Sequence, residues 1–205
     1  MKYIDLSHKI DDRIPVYPGD MEVSLTQVRS LATDKYNAYS FSSGLHAGTH
    51  IDCPMHLLQK DRTIAQYPLE CFAGKGYLLD VRGENEIDYR DQYEEQIQKG
   101  DIVLAFTGSD KHYGNEYYYE NHPVITDKLA NFLASREIKM LGVDMPSPDF
   151  PPFPVHKLLL KHDIFIIENL KNLELLLGVE HFEVFAQPLK ICAEASLTRA
   201  FARCE

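Results

Sequence analysis

Short apolar runs, each close to a turn-forming residue, recur along the chain. YLLDV at 77–81, IVLAF at 102–106, KMLGV at 139–143, DIFII at 163–167 and FEVFA at 182–186 have the length and the Val, Ile and Phe content of buried strands. Helical periodicity is scarcer. TDKLANFLASRE opens on Thr126, a good N-cap, and spaces Leu129, Phe132 and Leu133 along one face, which predicts a helix. Shorter helices are expected over 156–162 and 170–177. Residues 84–100 and 109–123 are polar enough to read as insertions or surface loops, the second crowded with tyrosines (HYGNEYYYENHP). No internal repeat or linker divides the chain. The pattern predicts a single α/β (α+β) domain over 1–205, a mixed sheet or barrel with helices outside.

Composition narrows the function. A chain of 205 residues with 44% hydrophobic residues suffices for one real core. Its 31 acidic against 21 basic side chains give a formal charge of −10. That balance argues against a nucleic-acid partner, because backbone phosphates are bound by replacing counterions with Lys and Arg. Cys53, Cys71, Cys192 and Cys204 form no CxxC pair, and the opening MKYIDLSHKIDD lacks the apolar core of a signal peptide. A reducing, cytoplasmic setting is expected. No apolar stretch approaches the roughly 20 residues of a membrane span, so no membrane partner is expected.

The chemistry concentrates in GLHAGTHIDCPMHL, residues 44–57, which carries His46, His50, Asp52 and His56 around a glycine and a proline. His46 and His50 would share a helical face, but Gly48 and Thr49 are poor helix formers and Pro54 disfavours helical dihedrals at Cys53. A strand serves better. Positions 46, 48, 50 and 52 then share one face, Gly48 leaves room between the side chains, and Ile51 and Cys53 point away. Two imidazoles and a carboxylate converging in this way suit zinc or another first-row divalent ion, and a catalytic site leaves one position for water.

The stretch HAGTHIDCPMH resembles the HxGTHxDxPxH signature of the cyclase-like metal hydrolases, the family of bacterial kynurenine formamidase and isatin hydrolase. IDLSHKIDDRIPVYPGD resembles that family's opening, NHPVITDKLANFLASREIKMLGVDMPSPD its central helix–strand unit, and AEASLTRAFA its closing segment. The resemblance implies a swivelling β/β/α-type fold, a homodimer or homotetramer, and a metal centre that hydrolyses amide-like bonds of a small molecule. It assigns His46, His50 and Asp52 as ligands, with Asp52 bridging two ions. A His and a Glu twelve residues apart complete the family's centre, and His156 and Glu168 have that spacing. One or two Zn2+ per chain are implied, with Mn2+ as the alternative.

His56, off the regular alternation after Pro54, corresponds to the family's proton donor and acceptor. A metal lowers the pKa of a bound water towards about 7, the hydroxide attacks the carbonyl, and the departing amine takes a proton from a nearby imidazole. Tyr17 stands where the kynurenine formamidases carry a substrate-contacting Trp, and this chain has no Trp. The implied reaction is hydrolysis of N-formyl-L-kynurenine to kynurenine and formate; opening of an isatin-type cyclic amide is the alternative, and a non-catalytic metal-binding protein with a closed site is a third reading. Other readings of single residues stay open: His56 as a group that hydrogen-bonds a metal ligand and orients it, and Glu168 as an acid at the start of a helix before NLELLL. Cys53 reads as a small buried filler, and Asp144 and Ser147 as pocket or turn residues. The tyrosine-rich loop reads as a surface or subunit contact.

Overall fold

The run Ile102–Phe106 is buried at all five positions and lies in the middle of a nine-stranded sheet. In spatial order the strands are Lys2–Asp5, Phe201–Cys204, Phe182–Phe185, Ala73–Asp80, Ile102–Phe106, Met140–Val143, Phe165–Glu168, His50–Asp52 and Ala195–Leu197. This computed structural model describes residues 1–205. The four central strands from Ala73–Asp80 to Phe165–Glu168 run parallel, and both flanks are antiparallel, so the sheet is mixed. Strands buried on both faces read as continuous apolar runs, which is why Ile102–Phe106, Met140–Val143 and Phe165–Glu168 were visible, whereas Ala73–Asp80 and Phe182–Phe185 are only partly buried.

Alternation along the central strand sorts side chains onto two faces. Val103 and Ala105 face a cluster completed by the helices Asp127–Ser135 and Pro154–Lys161, through Leu129, Leu133, Leu159 and Leu160. Ile102, Leu104 and Phe106 face a second cluster, covered by the sheet's own curl and by Phe72, Leu173 and Leu176. The first helix starts as the sequence predicts, with the Thr126 hydroxyl accepting from the Leu129 amide at 3.2 Å. No helix is long and apolar enough to cross a membrane.

Three local expectations change. The apolar stretch 170–177 forms only a short 3-10 turn, Leu173–Leu176, because it packs against the sheet face as a connection. The helix expected from 156 begins at Pro154, whose missing N–H costs nothing at a helix start. The polar stretches are not bare loops. Glu86–Ile87 pairs with Val124–Ile125, and Tyr93, Tyr118 and Tyr119 are buried. Tyrosine carries a large apolar ring, so a segment that looks polar by charge and hydroxyl count supplies core.

One unit stands apart. Ser24–Arg29 and Ala38–Ser42 form a two-stranded hairpin outside the large sheet, and it exposes Val28, Tyr39 and Phe41.

Candidate metal centre

The strand His50–Asp52 lies between the turn at Gly48 and the 3-10 turn that Pro54 starts, and a neighbour holds it on each side. It pairs antiparallel with Phe165–Glu168 and with Ala195–Leu197, placing Glu168 directly opposite His50. Directly opposed side chains share a face, and His50 Nε2 lies 3.2 Å from Glu168 Oε2. Ile51 and Ile167 point to the other face and enter the core. His50 and Asp52 therefore obey the predicted alternation.

His46 does not. The strand expected through 46–52 covers only His50–Asp52, and residues 45–49 turn instead. The cause is Gly48, at φ +61°, a left-handed conformation that glycine adopts without strain. A Cβ there would also meet Ile14 Cδ1 at 2.8 Å. The turn folds His46 back over the strand, with Nδ1 3.1 Å from Asp52 Oδ1.

From the far side of the sequence, His156 enters in the first turn of the helix Pro154–Lys161, its Nε2 3.0 Å from Glu168 Oε1. Two sets of potential ligand atoms result, His46, His50 and Asp52, and Asp52, His156 and Glu168, each set within 4.8 Å and both sharing Asp52. His50 Nε2 and both Asp52 oxygens are buried with no neighbour in good hydrogen-bonding geometry, close as Glu168 and His46 lie to two of them. Poorly satisfied polar atoms are costly in a protein interior, and a divalent cation supplies what they lack. The donor set of imidazole nitrogens and carboxylate oxygens fits such an ion.

The electrostatics match a cluster of unlike charges. Burial opposes charge on His46, but Asp52, with help from Glu168 and Glu194, raises it to about 9. Burial likewise opposes charge on His156, which Asp149 and Glu168 raise to about 10. Burial pushes the Asp52 carboxyl up, and His46 and His50 more than reverse this, holding it well below the usual carboxylate range. Metal uptake thus exchanges protons on imidazoles for an ion.

Each of these histidines has its second nitrogen opposite an acceptor. His50 Nδ1 lies 2.9 Å from the Gly48 carbonyl, His156 Nδ1 lies 2.5 Å from Asp149 Oδ1, and His46 Nε2 lies 3.5 Å from Glu194 Oε1. Asp149 and Glu194 carry no sequence signal of their own. Asn169 was equally silent: its side-chain amide donates to the Gly48 carbonyl at 2.9 Å, and its Oδ1 accepts from the Tyr118 hydroxyl at 2.7 Å. Tyr118 thus ties the tyrosine-rich segment to the site, while His112, Asn115, Glu116 and Tyr117 of the same segment lie at the surface as expected.

His56 ends a short 3-10 turn, Pro54–His56, that Pro54 initiates. Its ring centroid lies 4.4 Å from that of His46 and 6.3 Å from that of His156. Burial lowers its pKa, more than Asp52 raises it. These groups open into a cavity of about 280 Å³ with aromatic walls that include Tyr17, Tyr119, Phe150 and Phe153. Tyr17 is 41% exposed and meets Tyr119 edge-on at 5.6 Å. His122, on the same wall, stacks on Phe150 at 4.1 Å. Of the remaining residues singled out in the sequence, Ser147 reaches the cavity. Asp144 instead accepts from the Thr107 and Gly108 amides, bracing a turn. Cys53 is fully buried.

Residues 4–150 match the family model described as "Putative cyclase". The kynurenine formamidase of Erythrobacter litoralis is 31% identical over 97% of this chain and 92% of its own, and that of Bacillus cytotoxicus is 27% identical over 98% and 97%. Isatin hydrolase A from Labrenzia aggregata, solved with benzyl benzoate, shares the fold with a TM-score of 0.87 at 23% identity, over 98% of this chain and 93% of that one. A structure described as a potential metal-dependent hydrolase with cyclase activity has a TM-score of 0.77 at 26% identity, over 98% of each chain.

Proposed function

This chain belongs to the cyclase family of metal-dependent hydrolases, and from that premise we propose that it hydrolyses aryl formamides, N-formyl-L-kynurenine first among them, releasing the aryl amine and formate. The observation that carries the proposal is the pair of ligand sets sharing Asp52 at the floor of an aromatic-walled cavity. His46, His50 and Asp52 would hold one ion and Asp52, His156 and Glu168 a second; zinc is the proposed metal and manganese its alternative. Bound there, a divalent ion polarises a carbonyl and makes water acidic enough to ionise near pH 7.

The chain's own residues supply the rest. Tyr17, Tyr119 and Phe150 offer ring faces and edges to an aryl group, orienting the formyl carbon towards the floor. His56 lies beside His46 at the cavity wall, and its lowered pKa favours the neutral imidazole, which takes a proton from water and returns it to the departing amine. Positioning of this kind turns a collision into a near-unimolecular step.

The proposal extends to the setting. We place the enzyme in the cytoplasm, which the four free cysteines support. We also propose a homodimer or homotetramer. The protruding hairpin and its neighbours expose Val28, Leu31, Tyr36, Tyr39 and Phe41, and an isolated two-stranded unit gains little stability alone.

The test is formate release from N-formyl-L-kynurenine by protein loaded with zinc or manganese, beside formanilide and isatin. The expected result is the highest kcat/KM on an aryl formamide, with loss on chelation and recovery on adding metal. Faster opening of isatin would transfer the assignment to cyclic amides, and turnover unchanged after metal removal would overturn the metal-dependent reading.

A further inference from the structure

Asp149 makes contacts that no ordinary turn residue needs. Its Oδ2 accepts from the backbone amides of Val155 at 2.7 Å and His156 at 3.3 Å, in the first turn of the helix that carries His156. Its Oδ1 lies 2.5 Å from Nδ1 of the same His156, and its side chain is 5% exposed. The turn beneath it is fixed by Ser147, whose hydroxyl donates to the Asp149 carbonyl at 2.6 Å. On the opposite edge of the ring, His156 Nε2 faces Glu168 Oε1 at 3.0 Å.

We propose that Asp149 is a positioning residue for the metal centre: it keeps a proton on His156 Nδ1, so that the lone pair of Nε2 is presented to the ion shared with Asp52 and Glu168. A neutral imidazole has one N–H and one lone pair, and which nitrogen bears which is set by the partner of the other. A carboxylate only accepts, so it selects the Nδ1–H tautomer. The same group caps the helix, which sets the ring's height and its rotation together. The proposal rests on reading the cluster as a metal centre and is independent of the substrate.

Asp149→Asn separates this role from helix capping. The Asn oxygen can still accept from the two amides, but its NH2 then faces Nδ1 and drives the proton to Nε2, where the lone pair is needed. Chelator-stripped protein is titrated with Zn2+ and with Co2+ as parent, Asp149→Asn, His156→Ala and the double variant, with thermal melting alongside. The expected result is one ion weakened by roughly 10–100-fold, the usual worth of such an outer partner. The ion on His46, His50 and Asp52 stays close to parental affinity. The Co2+ visible spectrum of the weakened site changes, and Asp149→Glu recovers part of the affinity. In the His156→Ala background Asp149→Asn adds no further loss, because its effect passes through that ring. Parental affinity for both ions overturns the proposal, as do losses that add in the double variant. So does loss of both ions with a matching fall in Tm, which would leave Asp149 a structural cap. A parent protein that binds no divalent ion overturns the metal reading itself; two ions bound, with Asp149→Asn unchanged, overturns only the positioning role.

Discussion

The centre has two limbs of opposite construction. The near limb, residues 46–56, packs three histidines and an aspartate into a turn, three strand residues and a 3-10 turn. The far limb hangs His156 on a helix and Glu168 on a core strand, both nearly fully buried. Regular structure makes the far limb rigid on its own account. The near limb borrows rigidity: the Thr49 hydroxyl donates to the Asn169 carbonyl at 2.6 Å and accepts from the His8 amide at 2.9 Å, and Ile14 closes over Gly48. A dense motif therefore marks where the chemistry is, while the geometry is enforced from elsewhere in the sequence.

The two limbs meet at Asp52, and breaking that joint has the largest expected effect. Asp52→Ala should lose both ions and bring turnover to background, since neither ligand set is complete without it. His50→Ala should instead spare the set of Asp52, His156 and Glu168. Metal content per chain after gel filtration distinguishes these outcomes. Retention of both ions by Asp52→Ala would refute the shared-ligand arrangement.

His56 faces both limbs and belongs to neither ligand set. His56→Ala should keep its metal and its fold while kcat falls by roughly 10²–10⁴-fold, the usual contribution of a positioned acid or base. Metal content and kcat must come from one preparation, because a low rate alone does not tell a missing proton from a missing ion. Full metal with near-parental kcat would end the proton-transfer role.

A smaller effect is expected at the cavity mouth. Tyr17→Ala should raise KM for an aryl formamide by about 3–10-fold, in line with the loss of an edge contact of roughly 0.5–1.5 kcal/mol, and leave metal content unchanged. Tyr17→Trp should retain binding. A Trp variant that folds yet fails on every aryl substrate would point to a small aliphatic one.

The difference between the limbs also explains what the sequence made legible. Period-two spacing located His50 and Asp52, and apolar runs located the parallel core, because both patterns are local consequences of strand geometry. Convergence of His46 was expected, but its route was not: a glycine in a polar motif fits a strand that needs space as well as a turn that needs positive φ. His156 and Glu168 came from the resemblance and its spacing, since nothing within either segment announces a partner a hundred residues away. Asp149, Asn169 and Glu194 were missed because a second carboxylate or amide beside a ligand looks like any turn residue until the chain is folded. The buried tyrosines were misread for a related reason, a polar tip on an apolar body.

The smallest expected effect lies where the near limb is braced. His8 stacks on Tyr113 at 3.8 Å, its Nε2 is buried without a partner, and its backbone amide holds Thr49. Burial, with the charge of Lys171 adding to it, depresses the His8 pKa from 6.5 to about 4. The folded protein therefore binds this proton less readily than the unfolded chain. The stability His8 contributes is complete above about pH 6.5, declines as pH falls through the window down to about 4, and is gone below it. His8→Phe keeps a ring against Tyr113 and removes the titrating group. The Tm of the variant should fall less than that of the parent between pH 6.5 and 4, the Tm–pH curves of the two proteins from differential scanning diverging as pH falls through that window. Carboxylates that titrate in the same window do so in both proteins, so the difference between the two curves reports on His8. Parallel curves would mean that the imidazole gains its proton in the folded state as easily as in water, and that the near limb is held by the His8 backbone alone.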